Sequence, residues 1–442
     1  MNNESTLHIG FDDTDSPTGM CTTFLAYKIV DYLKSQDLDF LDFPRLIRFN
    51  PNIPWKTRGN GAVSIKIKTK HPSKIKNKIK NFISKYSDTE NGANPGLVFY
   101  ENKTIPSHFT EFSELALWQL INRNQAKKFA SKNNLEFFYK GNGQGLVGAI
   151  GAIGYQFIDH TLELLSYRKP SKFGKDRKIS SQSVQLMQQK TFPYTFNSFD
   201  NKKSRVLITP HGPDPVFYGI RGEKVDSLLK AKKILKTEEK LDGHLIFKSN
   251  QGTGDHLKNI FTKKTLKPYA SGKTTGIVSS YPKIEKGGHV FFSINSNGDE
   301  LRCAVYKPTG ISSIAMNLIK GDKICVGGGI RKASKIHPRI LNLEFIDIIK
   351  LEKNTIISNP FCTKCKKSMK SKGQKQGFQC VKCGKISKNK TNLKIPRKIK
   401  QQLYIPDISA HRHLSRPLTR LGKANRKSEF NESSSWFSVY EN

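Results

Sequence analysis

Apolar residues recur along the chain with two different periods, and the places where the period changes divide it into segments. LHIGF (7–11) is a short apolar run that passes into the acidic turn DDTDSPTG, and in MCTTFLAYKIVDYLKS (20–35) Leu25, Ile29, Val30 and Leu33 fall at helical spacing. Strand, loop and helix are predicted in that order, with the loop at the helix N-terminus. Residues 44–70 read as strand, Gly/Pro/Asn-rich loop and strand. In 72–87, Ile75, Ile79, Phe82, Ile83 and Tyr86 share one face of a helix whose other face is lysine. A helical stretch is predicted from Glu114 to Lys132, and GNGQGLVGAIGAIGY (141–155) opens a second α/β unit that closes with TPHGPDPVFYGIRGEK (209–224) and a further helix. NQGTGDHLKNI (250–260) is polar and irregular, and reads as a connector. From Thr274 five short strands follow at regular spacing, with a helix-sized insert (312–321) before the fourth. That suits a small closed barrel of the oligonucleotide-binding type, or an ordinary antiparallel sheet.

Composition sharpens the picture in two respects. The chain of 442 residues is long enough for three or four domains, and 75 Lys plus Arg against 36 Asp plus Glu give a formal net charge of +39. A field of that sign steers a polyanion such as RNA towards the protein, although lysine-rich composition on indifferent surfaces gives the same number. The first residues lack a signal-peptide pattern, and no window approaches the ~20 apolar residues of a membrane span. A soluble, cytoplasmic protein is expected.

Four of the seven cysteines form two close pairs, Cys362/Cys365 and Cys380/Cys383. Two such knuckles make a tetrahedral sulfur cage for Zn²⁺ that leaves no open position for catalysis, so the metal is expected to be structural. Cys303 and Cys325 read as strand-core residues. The acidic turn is the sharper signal, because Asp12, Asp13 and Asp15 crowd into four positions of an acid-poor chain. Hard carboxylates beside a helix start suit Mg²⁺ carried by a nucleoside triphosphate such as ATP. A capping turn built from Asp15 or Ser16, needing no ligand, remains equally open. Thr22 and Thr23 are the hydroxyls nearest any bound phosphate. The loop from Asn50 to Gly61 adds Lys56, Arg58, Gly59 and Gly61, half of a phosphate clamp without a P-loop sequence. In the second unit Glu163 and Asp214 could hold a guanidinium, with His211 and Arg168 nearby in sequence. Read alone, His211 is more simply a turn histidine and Glu163 an exposed strand residue.

HIGFDDTDSPTGMCTT, RLIRFNPNIPWKTRGNGAV, GPDPVFYGIRG, NQGTGDHL and the paired cysteines together resemble the archaeal agmatine-conjugating family, tRNA(Ile) 2-agmatinylcytidine synthetase, over nearly the whole chain. The resemblance implies a multidomain α+β architecture: a kinase-like ATP-binding domain (1–125), a ferredoxin-like agmatine-binding domain (126–245), a connector (246–272), an OB-fold barrel (273–352), a zinc ribbon (358–390) and a basic tail (391–442). It implies ATP-driven activation of C2 of the wobble cytidine of an isoleucine tRNA with a CAU anticodon, attack by the agmatine amine, and release of AMP and two phosphates, so that the tRNA decodes AUA. Asp12, Asp13 and Asp15 would then handle Mg²⁺ and ATP, Thr22 would become autophosphorylated, and Lys56 and Arg58 would neutralise the phosphates. Glu163 and Asp214 would seat agmatine, with His211 a candidate base. The barrel, the ribbon and His411, Arg412, His413, Arg416 and Arg420 of the tail would grip the tRNA, with Phe291 and Phe292 as stacking platforms or core. The alternatives are a non-catalytic RNA-binding factor, which leaves the clustered aspartates unexplained, and an enzyme that attaches another amine such as lysine.

Overall fold

In chain order the first part of the computed structural model runs β1 (Ser5–Asp12), α1 (Thr22–Ser35), β2 (Arg45–Arg48), β3 (Gly61–Thr69), α2 (Pro72–Tyr86), β4 (Gly96–Glu101), α3 (Ser107–Trp118), α4 (Arg123–Lys132), β5 (Glu136–Tyr139) and α5 (Leu146–Gly154). It continues with β6 (Thr161–Arg168), α6 (Ser181–Thr191), β7 (Thr195–Phe196), β8 (Phe199–Asp200), β9 (Arg205–Val206), β10 (Val216–Gly222), α7 (Val225–Ile234) and β11 (Leu241–Ser249). The structure describes residues 4–335, 338–427 and 430–440. The chain divides into two units, one comprising residues up to 273 with 328–334 and 407 onward, the other 274–327 and 335–406.

The sequence predicts two separate α/β units in the first 245 residues, and the structure joins them in one sheet. Its order is β5-β4-β1-β3-β2-β11-β6-β10-β7. The seam is a short parallel pairing of β2 with β11, Arg45 opposite Lys248 and Leu46 opposite Ser249. The side chain of Asn250 prolongs it, accepting from the Arg48 N–H at 2.8 Å and donating to the Arg48 carbonyl at 3.0 Å. The segment read as a connector is therefore built in: Asn250, Gln251, Thr253, Asp255 and His256 are all buried.

α5 ties the two halves together in the same way. Glycines at 145, 148, 151 and 154 put a bare stripe on this helix, which lies against β1, β3 and β4 instead of opening a new layer. The side chain that Gly148 lacks would collide with the Asp12 carboxylate, so only glycine allows this approach.

The end of the chain is the larger correction. Arg420, expected on the RNA, is 1% exposed and pairs with Asp159 and Glu223 at 2.8 Å each, while Arg416 reaches Asp159 at 2.6 Å. Trp436 packs with Phe40, Phe43 and Phe430, and Phe437–Val439 adds a strand to β11. A buried guanidinium must be paired, and here the acids of the first unit do what phosphate was expected to do.

Two buried histidines make this unit acid-sensitive. His8 on β1 and His244 on β11 are each held down to about 4, by burial first and then by Lys66 and Arg45 for His8 and by Lys232 for His244. The unfolded chain takes up these protons from about pH 6.5 downward, whereas the folded chain resists until about pH 4. Stability is therefore present above pH 6.5 and lost as the pH falls towards 4, on the order of 3 kcal/mol per histidine. Because the crowded carboxylates Asp12 and Asp13 are raised and act in the opposite direction in both proteins, the expected result is a difference: on going from pH 7 to pH 4.5 the wild type loses more of its melting temperature than His244→Gln does.

In the barrel, β12 (Ser271–Val278), β13 (Lys283–Glu285), β14 (His289–Ser296), β15 (Asp299–Val305), β16 (Lys323–Arg331) and β17 (Ile340–Lys350) are ordered β12-β16-β17-β15-β14-β13, and a β12–β14 pairing closes five of them into a ring. The helix insert is α8 (Ser312–Ala315). Phe292 and Cys303 are in the barrel core, Cys325 is half-buried, and Phe291 faces outward with Arg302 5.0 Å above its ring. Phe292 is thus no stacking platform.

Beyond the barrel, the sulfur atoms of Cys362, Cys365, Cys380 and Cys383 lie within 4.8 Å of one another. Thiolates this close can close around one tetrahedral Zn²⁺. The local core otherwise holds only Met369 and Phe378 besides the cysteines, too little to fold alone, so metal binding must supply the folding free energy, about 10 kcal/mol in comparable sites. Stripping the metal with a strong chelator is expected to abolish amide-exchange protection across 361–387 while leaving β1, β3 and β6 protected.

Candidate active site

β1 delivers Asp12 to the mouth of the sheet, and the chain then turns with Asp13 at φ 57°. Asp12 Oδ1 accepts the Asp13 N–H at 2.7 Å. The loop is tied by Ser16 N–H to the Gly19 carbonyl at 3.1 Å, and the Ser16 hydroxyl donates to Asp88. Neither Asp15 nor Ser16 caps α1: no side chain caps this helix, so the capping-turn reading does not apply and its first N–H groups stay available. Thr22, the first residue of α1, is buried and takes a hydrogen bond from the Thr14 hydroxyl at 3.1 Å.

The three carboxylates are crowded and poorly solvated. Burial, with Asp13 and Asp15 close by, pushes Asp12 well above the usual carboxylate range; burial and Asp15 raise Asp13 to about 7; burial raises Asp15 even beside Arg58. Such a set is short of positive charge, and a hard divalent cation is the partner that would restore ionisation.

The 49–61 loop forms the opposite wall of a solvent-open cleft of about 700 Å³ lined by Asp12, Asp13, Asp15, Lys56, Arg58 and Gly148 among others. Arg58 is not a free phosphate ligand. Its Nε donates to Asp15 at 3.0 Å, its Nη2 to the carbonyls of Ser16, Gly19 and Met20, and its Nη1 lies 3.1 Å from Asp214. It staples the acidic loop to the Asp214 loop. Gly59 faces the His413 imidazole with no room for a side chain, and Gly61 lies against Arg48.

A second cleft of about 940 Å³ adjoins the first and shares Asp15, Arg58, Gly59 and Gly61 with it. Its walls carry Thr22, Thr23, Glu163 and Asp214, so the structure brings both predicted amine-binding carboxylates beside the predicted threonine. Both acids are buried and both are paired. Glu163 accepts from Gln251 and lies 3.6 Å from Arg48 and 3.5 Å from Arg221; Asp214 lies 3.5 Å from Arg177 as well as beside Arg58. His211 does not line this cleft: it is exposed, with Nε2 2.7 Å from Arg205. Arg168 is likewise absent from it, fully buried and paired with Glu239 at 2.7 Å. The imidazole that lines the cleft is His413, 2.8 Å from Gln251.

Family models match three stretches of the chain: the TiaS TCKD domain over residues 8–142, the TiaS FLD domain over 143–256 and the TiaS C-terminal zinc ribbon domain over 359–399. The isoleucine-tRNA 2-agmatinylcytidine synthetase TiaS of Cenarchaeum symbiosum is 46% identical over 435 residues, covering 98% of this chain and 97% of the relative. The chain belongs to the TiaS family. A crystallised complex of TiaS with an isoleucine tRNA and ATP is similar with a TM-score of 0.85 and 34% identity, covering 96% of this chain and 99% of that one. A complex of TiaS with an isoleucine tRNA, AMPCPP and agmatine gives 0.82 and 32%, over 94% and 97%. The acidic loop falls in the TiaS TCKD match, whereas Glu163, Asp214 and Gly148 fall in the TiaS FLD match. Arg48, Gly148, Arg221 and Gln251 are candidate site residues that sequence reasoning missed, with only the three-residue glycine period of α5 as a readable signal; His413, expected among the tail residues that grip tRNA, lines the second cleft.

Proposed function

We propose that this chain uses ATP to join agmatine to C2 of the wobble cytidine of an isoleucine tRNA with a CAU anticodon. The observation that carries the reading is the adjacency of two unlike clefts. One is lined by a triad of under-compensated aspartates and suits magnesium triphosphate, the other is lined by Glu163 and Asp214 and suits a cationic amine, and they meet at Asp15, Arg58 and Gly59. The relatives' names and their complexes with an isoleucine tRNA, ATP and agmatine support the same assignment.

The chemistry asks for positioning and charge control more than for covalent work by the protein. A C2 carbonyl oxygen is a poor leaving group, and phosphorylation turns it into a good one. The agmatine ammonium first loses a proton; its free amine nitrogen then bonds to C2 as the C–O bond breaks and phosphate departs, and the nitrogen gives up a second proton. Asp12, Asp13 and Asp15 would hold Mg²⁺, which when bound neutralises the triphosphate. Lys56 lies in the cleft wall to meet phosphate, and Arg58 holds the loop that carries the aspartates. Thr22 is the phosphoacceptor of the protein, its hydroxyl aligned by Thr14. Glu163 and Asp214 receive the two cationic ends of agmatine. The first part is a kinase-like domain, the second a ferredoxin-like one, and the barrel an OB-fold that presents basic surface to RNA.

Mass spectrometry of a CAU-anticodon isoleucine tRNA incubated with the protein, ATP, Mg²⁺ and agmatine is expected to show one agmatine per tRNA, and none without ATP. Lysine offered instead is expected to leave the tRNA unchanged, because its carboxylate would enter a cleft already lined by acids. Incorporation of lysine at a comparable rate would reassign the amine.

A further inference from the structure

A third cleft, of about 870 Å³, shares Arg48, Arg58 and Arg221 with the amine cleft. We infer that this cleft takes a phosphate group, and that filling it releases Glu163 to bind the cationic amine next door. The inference rests on the proposed assignment of Glu163 and Asp214 to the amine.

Charge count is the first argument. The amine cleft holds three carboxylates, Asp15, Glu163 and Asp214, against three guanidinium groups, Arg48, Arg58 and Arg221. It is balanced as it stands, so a doubly charged amine entering it gains little net attraction. The third cleft is the reverse. Arg48, Lys56, Arg58, Arg221 and Arg412 line it, and no carboxylate does. An anion is the ligand for which such walls are complementary.

The second argument is that the same side chains serve both. Arg48, Arg58, Gly59, Arg221 and His413 line both clefts. Arg48 and Arg221 hold Glu163 only at 3.6 and 3.5 Å, and the Nε of each is buried without a hydrogen bond. Guanidinium groups with an unused donor and a loose carboxylate partner can turn to a phosphate at small cost. His413 between them is held neutral, its imidazole pushed well down by burial and by Arg48 and Arg221, so it adds no charge to either side. A phosphate drawn to Arg48 and Arg221 leaves Glu163 under-compensated, which is the state that attracts an ammonium or guanidinium. Linkage is reciprocal, so the amine must tighten phosphate binding by the same factor.

The phosphate can come from the RNA backbone or from the nucleotide, and one experiment separates them. Agmatine affinity is measured by calorimetry on the full chain at ~0.15 M salt: alone, with a CAU anticodon stem-loop and no nucleotide, and with a non-hydrolysable ATP analogue and no RNA. At least about ten-fold tighter binding is expected in one arm, corresponding to ~1.4 kcal/mol of coupling, and that arm names the source. Arg221→Met is expected to bind agmatine more tightly without phosphate and to lose most of the coupling. Lys56→Ala, which removes a cation from the phosphate cleft without touching a carboxylate, is expected to reduce the coupling as well. Wild-type affinities equal in all three arms would overturn the inference and leave the amine site standing. Agmatine binding that ignores both Glu163→Gln and Asp214→Asn would remove the amine site itself.

Discussion

Replacing Asp12 with asparagine is expected to cut ATP-dependent agmatine incorporation by roughly a thousand-fold or more, with tRNA affinity nearly unchanged. Asparagine has the shape of the protonated aspartic acid, and Asp12 in the free protein is already pushed towards that form by burial and by Asp13 and Asp15. The carboxamide should therefore fit against Gly148 and keep its oxygen for the Asp13 N–H. What it cannot do is supply negative charge to a magnesium triphosphate. The loss falls on nucleotide turnover and not on folding. Radiolabelled agmatine incorporation, filter binding of tRNA and the melting temperature, measured together, make the distinction. Activity within ten-fold of wild type would remove Asp12 from the chemistry.

Thr22→Ala is expected to lower modification by at least about a hundred-fold and to abolish phosphate transfer to the protein, whereas Thr22→Ser keeps both. The alanine loses a hydroxyl at the first turn of α1 and leaves Thr14 without its partner. A lost hydrogen bond of that kind costs only about 1 kcal/mol, too little to unfold the unit. Serine restores the oxygen while giving up a methyl group. Full modification by the alanine variant would leave Thr22 as a packing partner of Thr14 and nothing more.

The parts of this molecule that sequence made legible are those governed by local period. β1, the acidic turn and α1 were readable because five apolar residues, a burst of acids and a 3.6-residue rhythm follow one another without a break. The barrel strands and the paired cysteines were readable for the same reason. What escaped depends on residues distant in sequence. The parallel seam of β2 with β11 joins positions about two hundred residues apart, and no local pattern marks it. Arg416 and Arg420 escape because an arginine in a basic string looks the same whether its partner is a phosphate or Asp159 and Glu223. Glu163 and Asp214 were found as unusual acids in apolar or glycine-rich context. The arginine partners of Glu163 were not, since Arg48 and Arg221 sit in strands that give no sign of facing the same cleft. His211 stood in the more distinctive motif, yet His413 reaches the site, because the last 36 residues belong to the first unit.

The proposed chemistry starts from Asp12, Asp13 and Asp15 holding a metal–triphosphate in the cleft they line with Lys56 and Gly148. Crystals soaked with Mn²⁺ and a non-hydrolysable ATP analogue test this directly through the anomalous signal of manganese. The expected peak lies about 2.2 Å from oxygens of at least two of the three carboxylates and from the phosphates. Manganese and triphosphate bound elsewhere, with the three aspartates touching neither, would contradict it.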